Sequence, residues 1–186
     1  MKKLVIENKK TVKDVFIDLN EFERLFDSNQ AFDIILWRAL RTDKENFQNP
    51  LYPDFKRREI TIGQFRAPDV KVEKINGVDH IIPRIIKKNA QSMWRAEGTS
   101  LLDQPNVFKG KKWTYIKIPA ETVIPDGILI IRDDIMTTLN DDMGRPVPVT
   151  HYSIVPNTIM SVELFKTKLD TFAKNAKLML QKVKNG

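Results

Sequence analysis

The chain has 186 residues, 41% of them hydrophobic and 30% charged, which is enough apolar content for one folded domain with a proper core and is not the composition of a disordered chain. It contains no cysteine, which excludes disulfides, thiolate metal sites and a cysteine nucleophile. Lys and Arg outnumber Asp and Glu by 31 to 24, a net charge of +7, and such an excess either attracts RNA, acidic proteins and anionic ligands or is simply a basic solvated surface.

Val12, Val15, Phe16, Leu19, Phe22 and Phe26 recur at spacings of three and four, which predicts one apolar stripe on a helix within residues 1–30. Asp27-Ser28-Asn29-Gln30 ends it. Phe32 to Leu40 reads as a buried strand with Arg38 embedded in it. An unpaired buried charge is very costly, so Arg38 needs a partner: a carboxylate, or a ligand phosphate that the guanidinium grips through two N–H groups. Residues 41–70 are loop-like, punctuated by Asn49-Pro50, Tyr52-Pro53 and Ala67-Pro68-Asp69. Ile81-Ile82 and Ile85-Ile86 are short strand-like pieces. Trp113 to Pro119 is a strand, and Ile124-Pro125-Asp126-Gly127 turns into a further one at Ile128 to Arg132. From Ser161 onward Phe165, Leu169, Phe172, Ala176, Met179 and Val183 make the stripe of one long helix, with lysines opposite. The sum is α+β, with neither a βαβ rhythm nor a Gly-rich dinucleotide fingerprint.

The side chains able to do chemistry are few. His80 and His151 are the only histidines, so a zinc site would need a carboxylate-rich shell. His151 lies in Thr150-His151-Tyr152-Ser153-Ile154-Val155-Pro156, a β-branched and aromatic run that reads as a buried strand after the turn Asn140 to Pro146. An imidazole there is either a satisfied structural histidine or a group that holds a polar ligand. Gly98-Thr99-Ser100 allows backbone close to a ligand and supplies two small hydroxyls, or else forms a turn or cap. No apolar run reaches the length of a membrane span, and Met1 to Glu7 lacks the apolar stretch of a signal peptide. The expectation is a protein made in the cytosol that leaves, if it does, without a cleaved Sec signal.

Taken in order, Leu36-Trp37-Arg38-Ala39, Arg66-Ala67-Pro68-Asp69, Gly98-Thr99-Ser100, Ile124 to Gly127, Thr150 to Pro156 and a Leu169-Asp170-x-Phe172-x-x-Asn175-Ala176 helix form a series. That series resembles the type VI secretion effector family called "exported effector two", whose members are cytoplasm-acting toxins with an ADP-ribosyltransferase-like fold. The resemblance runs from about Phe32 to Lys177, which divides the chain into an N-terminal helical extension, 1–30, and a toxin domain, 31–186.

The resemblance implies a split antiparallel β-sheet core with surrounding helices and a long C-terminal helix. It implies NAD as substrate, bound in a cleft between two small sheets. His151, Thr99 and Ser100 would be the catalytic residues, and Arg38, Arg66, Trp37 and Tyr152 would contact NAD. It further implies a protein or RNA acceptor, a cognate immunity protein, and action in a target-cell cytoplasm rather than at a membrane. The chain departs from classical ADP-ribosyltransferases in lacking their catalytic glutamate pair: Glu97, Glu121 and Glu163 stand isolated. Either His151 substitutes for the glutamate or NAD is held without rapid turnover. The competing classes are a basic nucleic-acid-binding module without catalysis and an NAD-dependent RNA 2′-phosphotransferase-like enzyme. Two histidines are few for the latter.

Overall fold

A computed structural model describes residues 1–6, 10–41 and 48–185. In chain order the elements are β1 (Lys2–Val5), α1 (Val12–Asp18), a 3-10 turn (Phe22–Arg24), β2 (Leu25–Phe26), β3 (Leu36–Arg41), β4 (Arg58–Thr61), β5 (Gln64–Arg66), β6 (Val72–Ile75), β7 (Val78–Ile81), β8 (Arg84–Lys87), β9 (Arg95–Ala96), β10 (Thr99–Leu102), β11 (Trp113–Ile118), β12 (Ile128–Asn140), β13 (Pro146–Pro156), β14 (Met160–Ser161) and α2 (Val162–Asn185). The main sheet has the order β11-β3-β10-β13-β12-β2, with every pair antiparallel. Smaller sheets are β1-β8-β9, β14-β7-β6 and the hairpin β4-β5. The α+β expectation, with antiparallel sheets and a long C-terminal helix, is met.

Both faces of the main sheet are covered, which is why Ile128 to Ile131 is an unbroken apolar run rather than an alternating one. Ile128, Ile130, Tyr152 and Ile154 pack on one side with Leu36, Leu101 and the α2 residues Phe165, Leu169 and Phe172. Leu129, Ile131 and Val155 pack on the other with Ile85 and Ala96 of the β1-β8-β9 sheet and with Val12 and Phe16 of α1. The stripe of α2 is buried as far as Ala176, whereas Val183 is 70% exposed. The helix therefore runs past the core. The hydroxyl of Ser161 accepts the amide of Leu164 and caps its start.

The N-terminal segment is more than a helix. Thr11 and Asp14 form a reciprocal capping box on α1, but the helix stops at Asp18 and Asn20 adopts φ 57°. Phe22 and Phe26 thus leave the predicted stripe for the 3-10 turn and β2. β1 pairs with β8 and β2 with β12, so residues 1–6 and 10–30 share the core of the rest. Arg24, 1% exposed, pairs with Glu21 at 2.7 Å and donates to the carbonyls of Trp94 and Arg132. The loop-like stretch 41–70 contains the hairpin β4-β5, and part of that stretch lies outside the described residues. Strand β3 starts at Leu36 rather than Phe32. The two-residue turn Asn76-Gly77, with φ of 50° and 81°, closes β6 onto β7.

Gly98, which leads into β10, marks the closest backbone approach. A Cβ there would stand 2.0 Å from the carbonyl oxygen of Ile154 and 2.9 Å from Val155 Cγ1. Gly98→Ala is therefore expected to lower stability by about 2–3 kcal/mol through overpacking, read as a shift in the urea unfolding midpoint.

Candidate functional site

Register decides which side chains share a face, because directly paired residues project to the same side and neighbours along a strand to opposite sides. Ser100 pairs with Ser153, and Leu102 with both His151 and Trp37. These side chains lie on the sheet face turned away from α2. Thr99 pairs with Ile154 and Leu101 with Tyr152, on the α2 face. Strand β12 then contributes an irregularity. Arg132 pairs with Tyr152 and Ile135 with Thr150, so Asp133 and Asp134 together oppose the single residue His151. A two-against-one bulge of this kind re-aims a side chain.

It aims Asp133 at the imidazole. His151 Nδ1 lies 2.6 Å from Asp133 Oδ2, and Ser153 Oγ donates to the same oxygen at 3.2 Å. The carboxylate is an acceptor only, so Nδ1 carries the proton in this contact, and in the neutral imidazole Nε2 is then the lone-pair nitrogen. Asp133 is 4% exposed, and its second oxygen, Oδ1, is buried with no hydrogen-bond partner. The bulge is held from outside: Arg24 donates to the Arg132 carbonyl, and Asp134 accepts the amide of Met93 at 3.2 Å.

Two lobes of a cleft, about 140 and 180 Å³, meet at Asp69, Ser100 and His151. The first is cationic and aromatic: Arg38, Arg41 and Arg66 line it with Phe108 and Trp113, whose rings stack at 4.5 Å and 27°. The second is lined by Asp133, Ser153, Arg95 and Glu97, under Ile86 and Ala96 of the facing small sheet. Glu97 takes Arg84 in a bidentate pair at 2.6 and 2.7 Å, so that glutamate is engaged in structure.

Of the residues singled out from sequence, His151, Ser100, Arg66 and Arg38 line the cleft. Arg66 also pairs with Asp69 at 3.1 Å. Trp37 is on the His151 face by register but does not line either lobe. Tyr152 is in the α2-side core, tilted against Phe26 at 6.2 Å, and makes no wall of the cleft. Thr99 is fully buried, its hydroxyl donated to the Leu51 carbonyl at 2.7 Å. It stands on the opposite face from Ser100.

Arg38 answers the question of its partner in a third way, neither carboxylate nor phosphate. It is 7% exposed, and it donates to the carbonyls of Pro50 at 3.0 Å, Ser100 at 3.0 Å and Tyr52 at 3.5 Å. Burial lowers its pKa from the ordinary arginine value, with Asp69 and Asp54 opposing that shift. The residues that sequence reasoning missed are Asp133, Ser153, Asp69 and the Phe108–Trp113 stack. The acidic pair Asp133-Asp134 directly after an apolar strand run was the available signal for the first.

Separating structural from cleft-facing hydroxyls gives a direct test. Thr99→Val is isosteric and leaves the Leu51 carbonyl unpaired, an expected loss of about 1–3 kcal/mol. Arg38→Lys, which cannot serve three carbonyls, loses about 2 kcal/mol or more. Ser100→Ala stays within about 0.5 kcal/mol of wild type. Urea unfolding of the three variants checks the order.

A family model described as Tse2 ADP-ribosyltransferase toxin matches residues 13–180. The match includes most of the segment before Phe32. No curated protein matches the chain.

Proposed function

The chain belongs to the Tse2 ADP-ribosyltransferase toxin family, and we propose that it cleaves NAD at the nicotinamide–ribose bond and passes ADP-ribose to a protein or RNA acceptor. The observation that carries this reading is the meeting of two unlike lobes at Ser100 and His151. A ligand with two ring-bearing ends joined by a pyrophosphate suits such a pair better than either lobe alone. The positive potential of Arg38, Arg41 and Arg66 favours the diphosphate, and the Phe108–Trp113 stack offers a flat apolar wall for a base. Since the Arg38 N–H groups already serve backbone carbonyls, Arg66 is the better placed of the sequence-predicted arginines for direct phosphate contact.

Breaking the glycosidic bond develops positive charge on the ribose, so the site must orient the sugar and accept the nucleophile's proton. Ser100 Oγ is the hydroxyl that faces this region. The Nε2 of His151 is the base, with its opposite nitrogen fixed by Asp133. The reading extends to a toxin that acts in the cytoplasm of a target cell after type VI delivery. An acidic immunity protein covering the cleft mouth would protect the producer, because complementary charge speeds association.

Purified protein incubated with NAD is expected to release free nicotinamide, more so with cell lysate supplying acceptor. His151→Ala should reduce the rate about 100-fold or more and relieve growth arrest on cytoplasmic expression. Wild-type protein that neither binds NAD nor releases nicotinamide in the presence of lysate overturns the reading.

A further inference from the structure

Around the cleft, some cations are answered by carboxylates and some are not. Arg58, Arg66 and Arg84 each face an acidic side chain. Lys2, Lys87, Lys88, Lys109, Lys111 and Lys112 make no ion pair among the described residues. These six form two clusters, one at each lobe. Ile86 and Arg95 pair across β8 and β9 and line the second lobe. Their chain neighbours Lys87 and Trp94, with Lys2 and Lys88, line an adjoining concavity of about 360 Å³. Lys2 stands directly opposite Lys87 in the β1–β8 ladder, and like charges so placed destabilise the pairing unless an anion intervenes. Lys87 Nζ lies 5.6 Å from the Trp94 ring centroid, and Asn89 fixes the turn after Lys88 by accepting the amides of Gln91 and Ser92. At the first lobe, Lys109, Lys111 and Lys112 occupy the exposed loop between Phe108 and Trp113, the stacked rings of its wall. The Tyr115 hydroxyl pins that loop, accepting the Phe108 amide at 2.7 Å and donating to its carbonyl at 3.2 Å.

We infer that the acceptor is a single-stranded nucleic acid laid across the cleft, its phosphates held by both lysine clusters. The inference rests on the NAD-cleaving reading above and names the acceptor class of that site. A polyanion of regular charge meets both clusters at once and releases its counterions as it does so. Cations that follow a backbone beside exposed ring faces are the common means of holding single strands, and Phe108 keeps 38% of its surface open for a base. An acidic protein would answer the lysines but leaves the ring face without a role. A base must leave the stack before chemistry can reach it, and an unpaired strand has already met that cost. In the transfer, the bond between ribose C1′ and the nicotinamide ring nitrogen breaks, and its electron pair stays on that nitrogen, which becomes neutral. A lone pair from a ribose hydroxyl or base amino group of the strand forms the new bond to C1′, and the proton it gives up goes to His151 Nε2. The unpaired lysines of α2 are set apart from this track, since that helix packs on the other face of the main sheet.

The test measures binding and transfer separately, on the full chain. Fluorescence anisotropy follows binding of labelled oligouridylate, oligothymidylate and oligoglutamate of equal length. Both oligonucleotides are expected to bind, with Kd rising about tenfold or more between 50 and 200 mM salt. Lys87→Gln/Lys88→Gln and Lys109→Gln/Lys111→Gln/Lys112→Gln should each weaken binding about fivefold or more and flatten the salt slope, while Lys174→Gln/Lys177→Gln on α2 changes it less than about twofold. All of these side chains sit at the surface, and circular dichroism confirms that each variant is folded. Oligoglutamate that binds as tightly as the oligonucleotides overturns the inference, and so does an α2 variant weakened as much as the two cluster variants. For transfer, NAD labelled in its adenylate phosphate is incubated with wild type and cell lysate. The label is expected in nuclease-sensitive material, with ribonuclease and deoxyribonuclease telling RNA from DNA. Label that resists both nucleases and is removed by protease overturns the acceptor assignment. Wild type that releases no nicotinamide brings down the functional reading itself, whereas the oligonucleotide measurement needs no NAD turnover and judges the lysine track alone.

Discussion

The site depends on how the segment Pro50 to Tyr52 is held. Its consecutive carbonyls are taken in turn by Arg38 Nε, Thr99 Oγ1 and Arg38 Nη2. From the other side Asp170 of α2 accepts the Asn49 amide and the Tyr52 hydroxyl, each at 2.8 Å. Burial first, then that carboxylate, raises the Tyr52 pKa to about 12, which keeps the phenol a donor at neutral pH. A third Arg38 nitrogen reaches the Ser100 carbonyl, where β3 and β10 share only the single pair Leu102–Trp37. One guanidinium therefore joins an irregular loop to the strand that bears Ser100. Buried carbonyls need donors, and arginine offers several in a fixed fork.

A second constraint is the coverage of the main sheet on both sides. The α2 face is closed by aromatic packing, so polar groups that belong to that face, Thr99 and Arg38, are absorbed into structure. The opposite face is covered by the small β1-β8-β9 sheet only over its Leu129–Ile131–Val155 portion. Beyond it the same face carries Asp133, Ser153, His151 and Ser100. The reactive groups lie where the apolar cover ends, and the N-terminal segment, through Arg24, supports both the cover and the bulge.

How much of this the sequence revealed follows from signal strength. The strands around Trp113–Ile118, Ile128–Arg132 and Thr150–Pro156 and the C-terminal helix were plain, since their apolar runs or stripes face large buried surfaces. β1 was hidden because Lys2 and Lys3 do not look like a strand; its pairing with β8 is tertiary. The β4-β5 hairpin is exposed and carries no alternation. The N-terminal stripe read as one helix, yet Asn20 in the left-handed region redirects the chain. At the site, strand alternation alone separates Thr99 from Ser100 and Tyr152 from His151, so each adjacent pair named from sequence could place only one member in the cleft. Asp133 keeps the alternation of Leu129 and Ile131, but nothing in the sequence marks the bulge that sets Asp133 and Asp134 together opposite His151.

The bulge also partitions the β12–β13 hairpin into two unequal territories. Inside it, Ile128–Ile131 and Tyr152–Val155 are locked by cores above and below. Outside it, Ile135, Met136 and Met143 stand in solvent, and the ribbon is held by backbone pairing, by the Asp141–Arg145 ion pair at its turn and by Asp103, which accepts the Thr150 amide. Matched two-residue losses, one from each strand, would shorten this outer ribbon without disturbing which face His151 occupies. Loss of one residue at Asp133-Asp134 would remove the bulge and leave a regular ladder in which Ile135 still pairs with Thr150, but either the Asp133–His151 contact or the Asp134 brace on the Met93 amide would go with it. Length variation in the ribbon is thus tolerable in steps, while the acidic doublet at its root admits none.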